Sequence, residues 1–512
     1  MTSTGAVSAG TPEAAAAGAE ILKRGGNAID AAVATSLVLG VTEPAGSGLG
    51  GQTTVIVAPP GEEPFAINGS SFAPRNLPDD VGLEDLTGHR ASTVPTTPRV
   101  LDFAWRRFGS GNVSWAELVD PAVACAQEGY VLGPFRHRAL RRHARAIRRN
   151  ATATRLLLAN DASLPRRGTT LRSPVLARTL ERLGHEGVGD FYRGETAAQI
   201  ARDMADHGGW VTDEDLERVP EPRVVRTLKG TYRGWDVFTL PPPAGGWVVL
   251  LALNLLERAP AGDLTMEGPG RLVWLTESLR HAHRQRLRYS VAAPRDFDAI
   301  AHHLEKRQAQ RVARAFGMNG TGETTHFSVA DRNGLSVGVT QSLNSFFGAR
   351  VASRRVGVLY NDYMREFALG KRKHPFALRP GGVPNSFMSA TVLRRRDGST
   401  LTLGSPGDDR IISAVVQVIS HYADVGEGLQ AAVAAPRLHT LRSETVLVEA
   451  EPGRASGLVQ LEERGYTVYR PVTSLHAAGL NPYFGGVHAV AREEGEWTGA
   501  ADPRRDGAVA RG

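Results

Sequence analysis

One stretch in the middle of the chain limits its fold more than any other. Residues 325–330, Thr-His-Phe-Ser-Val-Ala, have the β-branched and aromatic content of a strand. Asp331-Arg332-Asn333-Gly334 follows, and an Asn-Gly pair between two apolar runs predicts a hairpin turn. Residues 335–342 then return antiparallel and carry Ser342 back towards Thr324. Taken alone, a Thr-Thr pair opening a strand is ordinary β-propensity. Thr324 also has a chemical reading. Its hydroxyl is a weak nucleophile at neutral pH, but a cut between Glu323 and Thr324 frees an α-amino group titrating near ~8, which can serve as its base. A strand that begins at a cut can still sit inside one shared sheet.

Other segments bear on that choice. Residues 20–32 read Glu-Ile-Leu-Lys-Arg-Gly-Gly-Asn-Ala-Ile-Asp-Ala-Ala, Glu43-Pro44 leads into glycines as far as Gly51, and residues 241–246 read Pro-Pro-Pro-Ala-Gly-Gly. After Thr324-Thr325-His326-Phe327 come Gly404-Ser405-Pro406-Gly407-Asp408 and a tail, Ala501-Asp502-Pro503-Arg504-Arg505-Asp506-Gly507. In this order, over nearly the whole chain, the blocks resemble the γ-glutamyltransferase family of N-terminal-nucleophile hydrolases. The resemblance implies an α/β fold, layered as an αββα sandwich. It also makes the Glu323–Thr324 bond the self-cleavage point and Thr324 the nucleophile. The products would be residues 1–323 and 324–512, a tight heterodimer within one intertwined unit, with further oligomerisation left open.

The resemblance carries over to the site residue by residue. Ser342 stands where the family has threonine or serine, Asn344 matches, and Gly407 matches the first of two glycines that offer N–H groups to an oxyanion. Asp408 replaces the second; its N–H remains, but its carboxylate is expected to repel developing negative charge unless turned away. The residues that would read a glutamyl head have changed. Ser70 occupies the place of the arginine that pairs with the substrate carboxylate, Tyr363 that of a glutamine, and Glu366 that of the aspartate holding the α-amino group. Ser386 matches the first of two paired serines; Phe387 replaces the second. Losing a bidentate carboxylate partner costs ~2–4 kcal/mol, roughly two to three decades of affinity.

This contrast orders the functional expectations. The leading one is a hydrolase using acyl-threonine chemistry on a bulkier, less charged small molecule, similar to homologues that hydrolyse a carbon–carbon bond in the biosynthesis of 4-alkylproline units of antibiotics. Amidase or acylase activity on another small molecule is not separable from it. The second is a conventional γ-glutamyl hydrolase or transferase, of glutathione type, with a rebuilt pocket, in which Arg75 or Arg350 is a candidate to replace the missing arginine. The third is a degenerate member kept as a binding subunit, against which the intact Thr324, Ser342 and Gly407 weigh.

Composition narrows the rest. The net charge of +7 does not point to nucleic acid, because the arginines of residues 136–149 read as the solvated face of a helix whose Leu140, Ala144 and Ile147 turn inward. Arg394-Arg395-Arg396-Asp397-Gly398 reads as a hairpin tip. The single cysteine, Cys125, reads as a buried small residue, so disulfides and a cysteine metal site are excluded. His281 and His283 are two apart on a helix and point to different faces, against metal ligation. The Gly46–Gly51 loop has no following Lys-Ser/Thr and reads as a backbone connection rather than a phosphate cradle. No cofactor, nucleic acid or membrane partner is expected, and the chain reads as cytoplasmic.

Overall fold

The computed structural model describes residues 5–266, 268, 270–293, 301, 304–306, 324–440, 444–449, 455–470 and 480–512. Glu323, on the far side of the predicted scissile bond, lies outside them. Two antiparallel sheets form the centre. The first runs Ala508–Arg511, Gly5–Ala9, Thr325–Asp331, Ser336–Ser342, Gln52–Ala58, Phe65–Asn68, Arg223–Arg226. The second runs Glu496–Ala501, His488–Glu493, Thr400–Gly404, Thr391–Arg394, Trp235–Thr239, Leu228–Tyr232. Both draw strands from before and after Thr324, and Thr325–Asp331 lies between Gly5–Ala9 and Ser336–Ser342. The predicted hairpin is present, with Gln341 opposite Thr325.

Helices cover the outer faces and complete an αββα sandwich. Pro12–Lys23 and Ala28–Thr42 share a core with the first sheet. Thr11 caps the former, its Oγ1 accepting from Ala14 N at 3.3 Å. Asn27 caps the latter through a capping box with Asp30. Ala28–Thr42 is apolar on every side and buried almost throughout, the position such a composition demands. Gly246–Leu256 and Arg410–Ser420 pack on the second sheet, and Arg271–Arg288 packs on those two helices within the same core. Between the sheets, Ile56, Phe238, Met388 and Val392 form an apolar cluster. A second, smaller apolar cluster joins Ala6 and Ala330 to Val490 and Trp497, and polar contacts lie between the sheets as well: Ser336 bonds Thr402 at 2.8 Å and Ser328 Oγ donates to His488 O at 3.0 Å.

Two readings need correction. Arg136 is not on a solvated face: it is buried, with Nε donating to Asp506 Oδ2 at 3.1 Å and Nη1 to Thr42 O at 3.1 Å. The acid that makes this tolerable arrives 370 residues later in the chain, beyond the reach of any local pattern. Cys125 is half-buried rather than buried, yet burial still pushes its thiol up to about 11, so it stays protonated and inert. Leu140, Ala144 and Ile147 do turn inward on Pro134–Ile147, and Arg394–Gly398 does cap the hairpin between Thr391–Arg394 and Thr400–Gly404. Among the described residues, no helix is long and apolar enough to cross a membrane.

Candidate active site

Thr324 is buried at the entry to its strand, and its Oγ1 donates to Ser342 Oγ at 3.3 Å. Ser342 is the last residue of the returning strand, so the hairpin register alone brings the two hydroxyls together. Beyond it the chain turns sharply: Asn344 takes a φ of 77°, a left-handed conformation that asparagine tolerates better than most residues. The turn aims Asn344 N at Ser342 Oγ, 2.8 Å away, and lets Asn344 Nδ2 donate to Glu366 Oε1 at 3.2 Å and Asp362 O at 3.3 Å. A hydrogen-bonded line therefore runs from Thr324 through Ser342 and Asn344 to Glu366.

The glycine loop supports this line from below. A Cβ on Gly46 would stand 3.1 Å from Thr324 O, and one on Gly51 only 2.3 Å from Ser342 O. Only glycine allows that approach, a role the sequence reading of a plain connection did not include. Glu43, at the head of the loop, accepts the Thr325 hydroxyl and lies 3.9 Å from Arg505. The C-terminal tail is thereby connected to the nucleophile's neighbour. Its Arg504 is fully buried, bonded to Asp502 Oδ1 at 3.0 Å and Glu449 Oε1 at 2.7 Å. His326 is neutral, held far below its usual range by burial, and bonds Thr340 and Ser328 within the sheet layer.

Gly407 and Asp408 precede the helix Arg410–Ser420 with φ of 119° and 58°. Asp408 thus keeps the left-handed backbone of the glycine it replaces, at a cost of about 1–2 kcal/mol. The charge expected of it is disfavoured. Burial, then the neighbouring Asp409 and Glu366, push its carboxyl well above the usual range. Asp409 goes the other way: burial raises it, but His439, Arg410 and His283 outweigh this and hold it ionised. Between the two neighbours the negative charge is therefore favoured on Asp409 over Asp408, which weakens the repulsion of an oxyanion expected of Asp408.

The substrate-reading positions separate in space. Ser70 is buried and turned back on its own loop, with Oγ donating to Asn68 Oδ1 at 2.8 Å. Tyr363 is also buried, its phenol raised by burial against side-chain hydrogen bonds from Ser342 and Gln52. Ser386 Oγ accepts from Met388 N at 3.3 Å. Glu366 and Phe387 instead line a cavity of about 470 Å³ with Arg286, Asn385, Asp409 and His283. Burial raises Glu366 to about 7, against the hydrogen bond from Asn344. His283, placed by sequence on an unremarked helix face, is driven down to about 3 by burial and reaches Ser413 at 3.5 Å. Neither Arg75 nor Arg350 reaches this cavity. Arg75 lines a separate cleft with Asp215 and Arg218, and Arg350 lies beside His143.

One metal-compatible group occurs among the described residues: ligand atoms of His89, Asp203 and His207 lie within 4.8 Å of one another. Asp203 Oδ2 there already accepts the Tyr360 hydroxyl at 2.9 Å and pairs with His89 Nε2 at 3.2 Å, so the carboxylate is satisfied without an ion.

An αββα sandwich of two antiparallel sheets, with a threonine at the mouth of a central strand, defines an N-terminal-nucleophile hydrolase. The family model described as gamma-glutamyltranspeptidase matches residues 14–512, and the chain belongs to that family of self-cleaving threonine-nucleophile enzymes. It is 30% identical to the glutathione hydrolase proenzyme of Pseudomonas sp. (strain A14), across 97% of this chain and 92% of that one. It is 31% identical to the acylase ACY 1 proenzyme of Pseudomonas sp. (strain V22), across 99% and 93%. The crystal structure of cephalosporin acylase from Bacillus halodurans superposes with a TM-score of 0.87 at 27% identity, across 99% of this chain and 96% of that one.

Proposed function

We propose that this chain cuts itself before Thr324, into residues 1–323 and 324–512 that stay together, and then hydrolyses the amide bond of a γ-glutamyl-type small molecule. The observation that carries the reading is the hydrogen-bonded line Thr324–Ser342–Asn344–Glu366, which joins the nucleophile to a cavity of substrate size. In the cut enzyme the Thr324 α-amino group takes the hydroxyl proton as Oγ1 attacks the acyl carbon. The backbone N–H groups of Gly407 and Asp408 receive the oxyanion, the leaving amine takes the proton, and water releases the acyl group from Thr324. The Glu366 carboxylate, once ionised, pairs with a substrate ammonium.

The names of the relatives, a glutathione hydrolase and an acylase, support amide substrates and so favour the conventional reading over carbon–carbon hydrolysis in 4-alkylproline biosynthesis. Phe387 in the cavity wall is the observation on the other side, since it replaces a hydroxyl with a bulky apolar ring. Residence in the cytoplasm is part of the proposal, and fractionation of the native host tests it. The decisive experiment is mass spectrometry and N-terminal sequencing of the purified protein, with turnover of glutathione measured alongside. Two fragments, one beginning at Thr324, and released glutamate are expected, and Thr324→Ala should remain whole and inactive. A single uncut chain with full activity would end this reading.

A further inference from the structure

Arg286 projects into the cavity from the helix Arg271–Arg288. Its Nη2 donates to Asn385 Oδ1 and to Ser386 O, both at 2.7 Å, and its guanidinium lies over the Phe387 ring, 4.1 Å from the centroid. These contacts fix the plane of the group and use one nitrogen. Among the described residues, neither Nε nor Nη1 has an acceptor, and no carboxylate forms an ion pair with the group.

Its surroundings make that position costly without a ligand. Burial lowers Arg286 to about 10, opposed by Asp408, Glu366 and Asp409. Of these acids, Asp408 has its carboxyl pushed well above the usual range by burial and its acidic neighbours, and Asp409 lies by His439, 3.7 Å away, and Arg410, 3.5 Å away. A partly buried cation with a preset fork and two open donors is a site for a carboxylate. The Pro-Pro-Ala-Gly-Gly block contributes here as well. A Cβ on Gly245 would stand 2.9 Å from Ser389 Oγ, 3.0 Å from Phe387 O and 3.3 Å from Arg286 Nη1. The glycine leaves room for the guanidinium and for the loop carrying its acceptors.

We infer that Arg286 binds a free carboxylate on the acyl half of the substrate, replacing from another element the arginine whose place Ser70 occupies. The inference rests on the amide-hydrolase reading above and narrows it to acyl groups ending in a carboxylate, glutaryl or γ-glutamyl. The two differ by one ammonium, which Glu366 faces. Phe387 then has a purpose: it replaces a hydroxyl with the ring that supports Arg286.

The test compares glutaryl, γ-glutamyl and butyryl p-nitroanilides on the cleaved enzyme. The native protein should prefer the two carboxylate-bearing anilides. Arg286→Ala should lower the kcat/KM ratio of glutaryl over butyryl substrate about 100-fold, mainly through KM, while the chain still cuts before Thr324. Arg286→Lys should recover part of the ratio. A preference for γ-glutamyl over glutaryl that disappears in Glu366→Gln would identify the amino acid as the source of the carboxylate; equal use of both would identify the plain diacid. An unchanged ratio in a correctly cut Arg286→Ala protein would overturn the inference.

Binding separates this from a failure of the amide reading. If the native enzyme is cut but turns over none of the anilides, the amide reading falls, and glutarate still decides the role of Arg286. A rise in Tm with glutarate, absent with butyramide and lost in Arg286→Ala, supports the anchor; no such rise in the native protein refutes it.

Discussion

The nucleophile and the cavity beside it are built on opposite principles. Around Thr324 the polar groups are closed off by neighbours fixed in register: Ser342 by the hairpin, Thr325 by Glu43, Asn344 by a single left-handed turn. Around the cavity, groups from residues 286, 366, 387 and 409 converge from separate elements, and the charges are only partly answered. A saturated network holds a reacting atom in one geometry. A cation left with open donors is where a ligand contributes free energy. Changes at the first should therefore affect every substrate alike, and changes at the second should discriminate among them.

Thr324→Ala gives the largest effect and is the sharpest contrast with the Arg286 variants. It should abolish self-cleavage and reduce turnover of any substrate by about 10⁴-fold or more, with no change in substrate preference. Gel electrophoresis and initial rates check both parts. A Thr324→Ala protein that retained one substrate class would remove the distinction between the two regions.

Next is the frame under the nucleophile. Arg504 is enclosed by Asp502, Glu449 and the carbonyls of Val433 and Ala435. Arg504→Ala leaves buried carboxylates short of a partner, which should cost about 3–5 kcal/mol of stability. Denaturant midpoints measure it. The KM of the protein that remains folded should not move, because Arg504 touches nothing in the cavity lining.

These two regions also differ in how far the amino-acid sequence discloses them. The hairpin was legible because an Asn-Gly turn and β-branched residues are local signals. The order of blocks carried the sandwich and the candidate nucleophile. Arg286 was not legible: it sits among arginines on an amphipathic helix, and its partners Asn385 and Ser386 are about a hundred residues away. Arg136 was misread for the same reason, with Asp506 at the other end of the chain. Missing the arginine at Ser70 directed attention to Arg75 and Arg350, neighbours in sequence, whereas the cation in the cavity comes from another element. The raised carboxyl of Asp408 depends on burial and on Asp409 and Glu366 gathered beside it in space, and no spacing discloses it.

Acidity gives a third, smaller separation. Glu366 has its carboxyl raised from 4.5 to about 7 by burial. Between those values the native state holds a proton that the unfolded chain has released, so stability from this group is full at low pH and lost as pH rises through about 7. Asp408 acts in the same direction. Glu366→Gln should flatten the fall in urea midpoint across this window. Substrate binding should respond with the opposite sign: KM for a γ-glutamyl anilide should improve as Glu366 ionises through about 7, while that for a glutaryl anilide should not.

The smallest effect is expected at Asp408, which belongs to both regions: its backbone is the proposed oxyanion donor and its side chain lies near the acids Asp409 and Glu366. If its catalytic part is the N–H presented by a left-handed φ of 58°, the side chain need only permit that backbone. Asparagine does so about as well as any residue but glycine, and its amide donates a hydrogen bond as the protonated carboxyl does. Asp408→Asn should therefore cut normally before Thr324 and lose less than about tenfold in kcat, well short of the 10²–10³-fold that follows removal of an oxyanion donor. Asp408→Gly should cut as well and relieve the backbone strain. If Asp408→Asn instead abolished turnover while Asp408→Gly preserved cleavage, the carboxyl itself would be handling a proton or the substrate. The oxyanion donor would then have to be sought elsewhere than at this backbone.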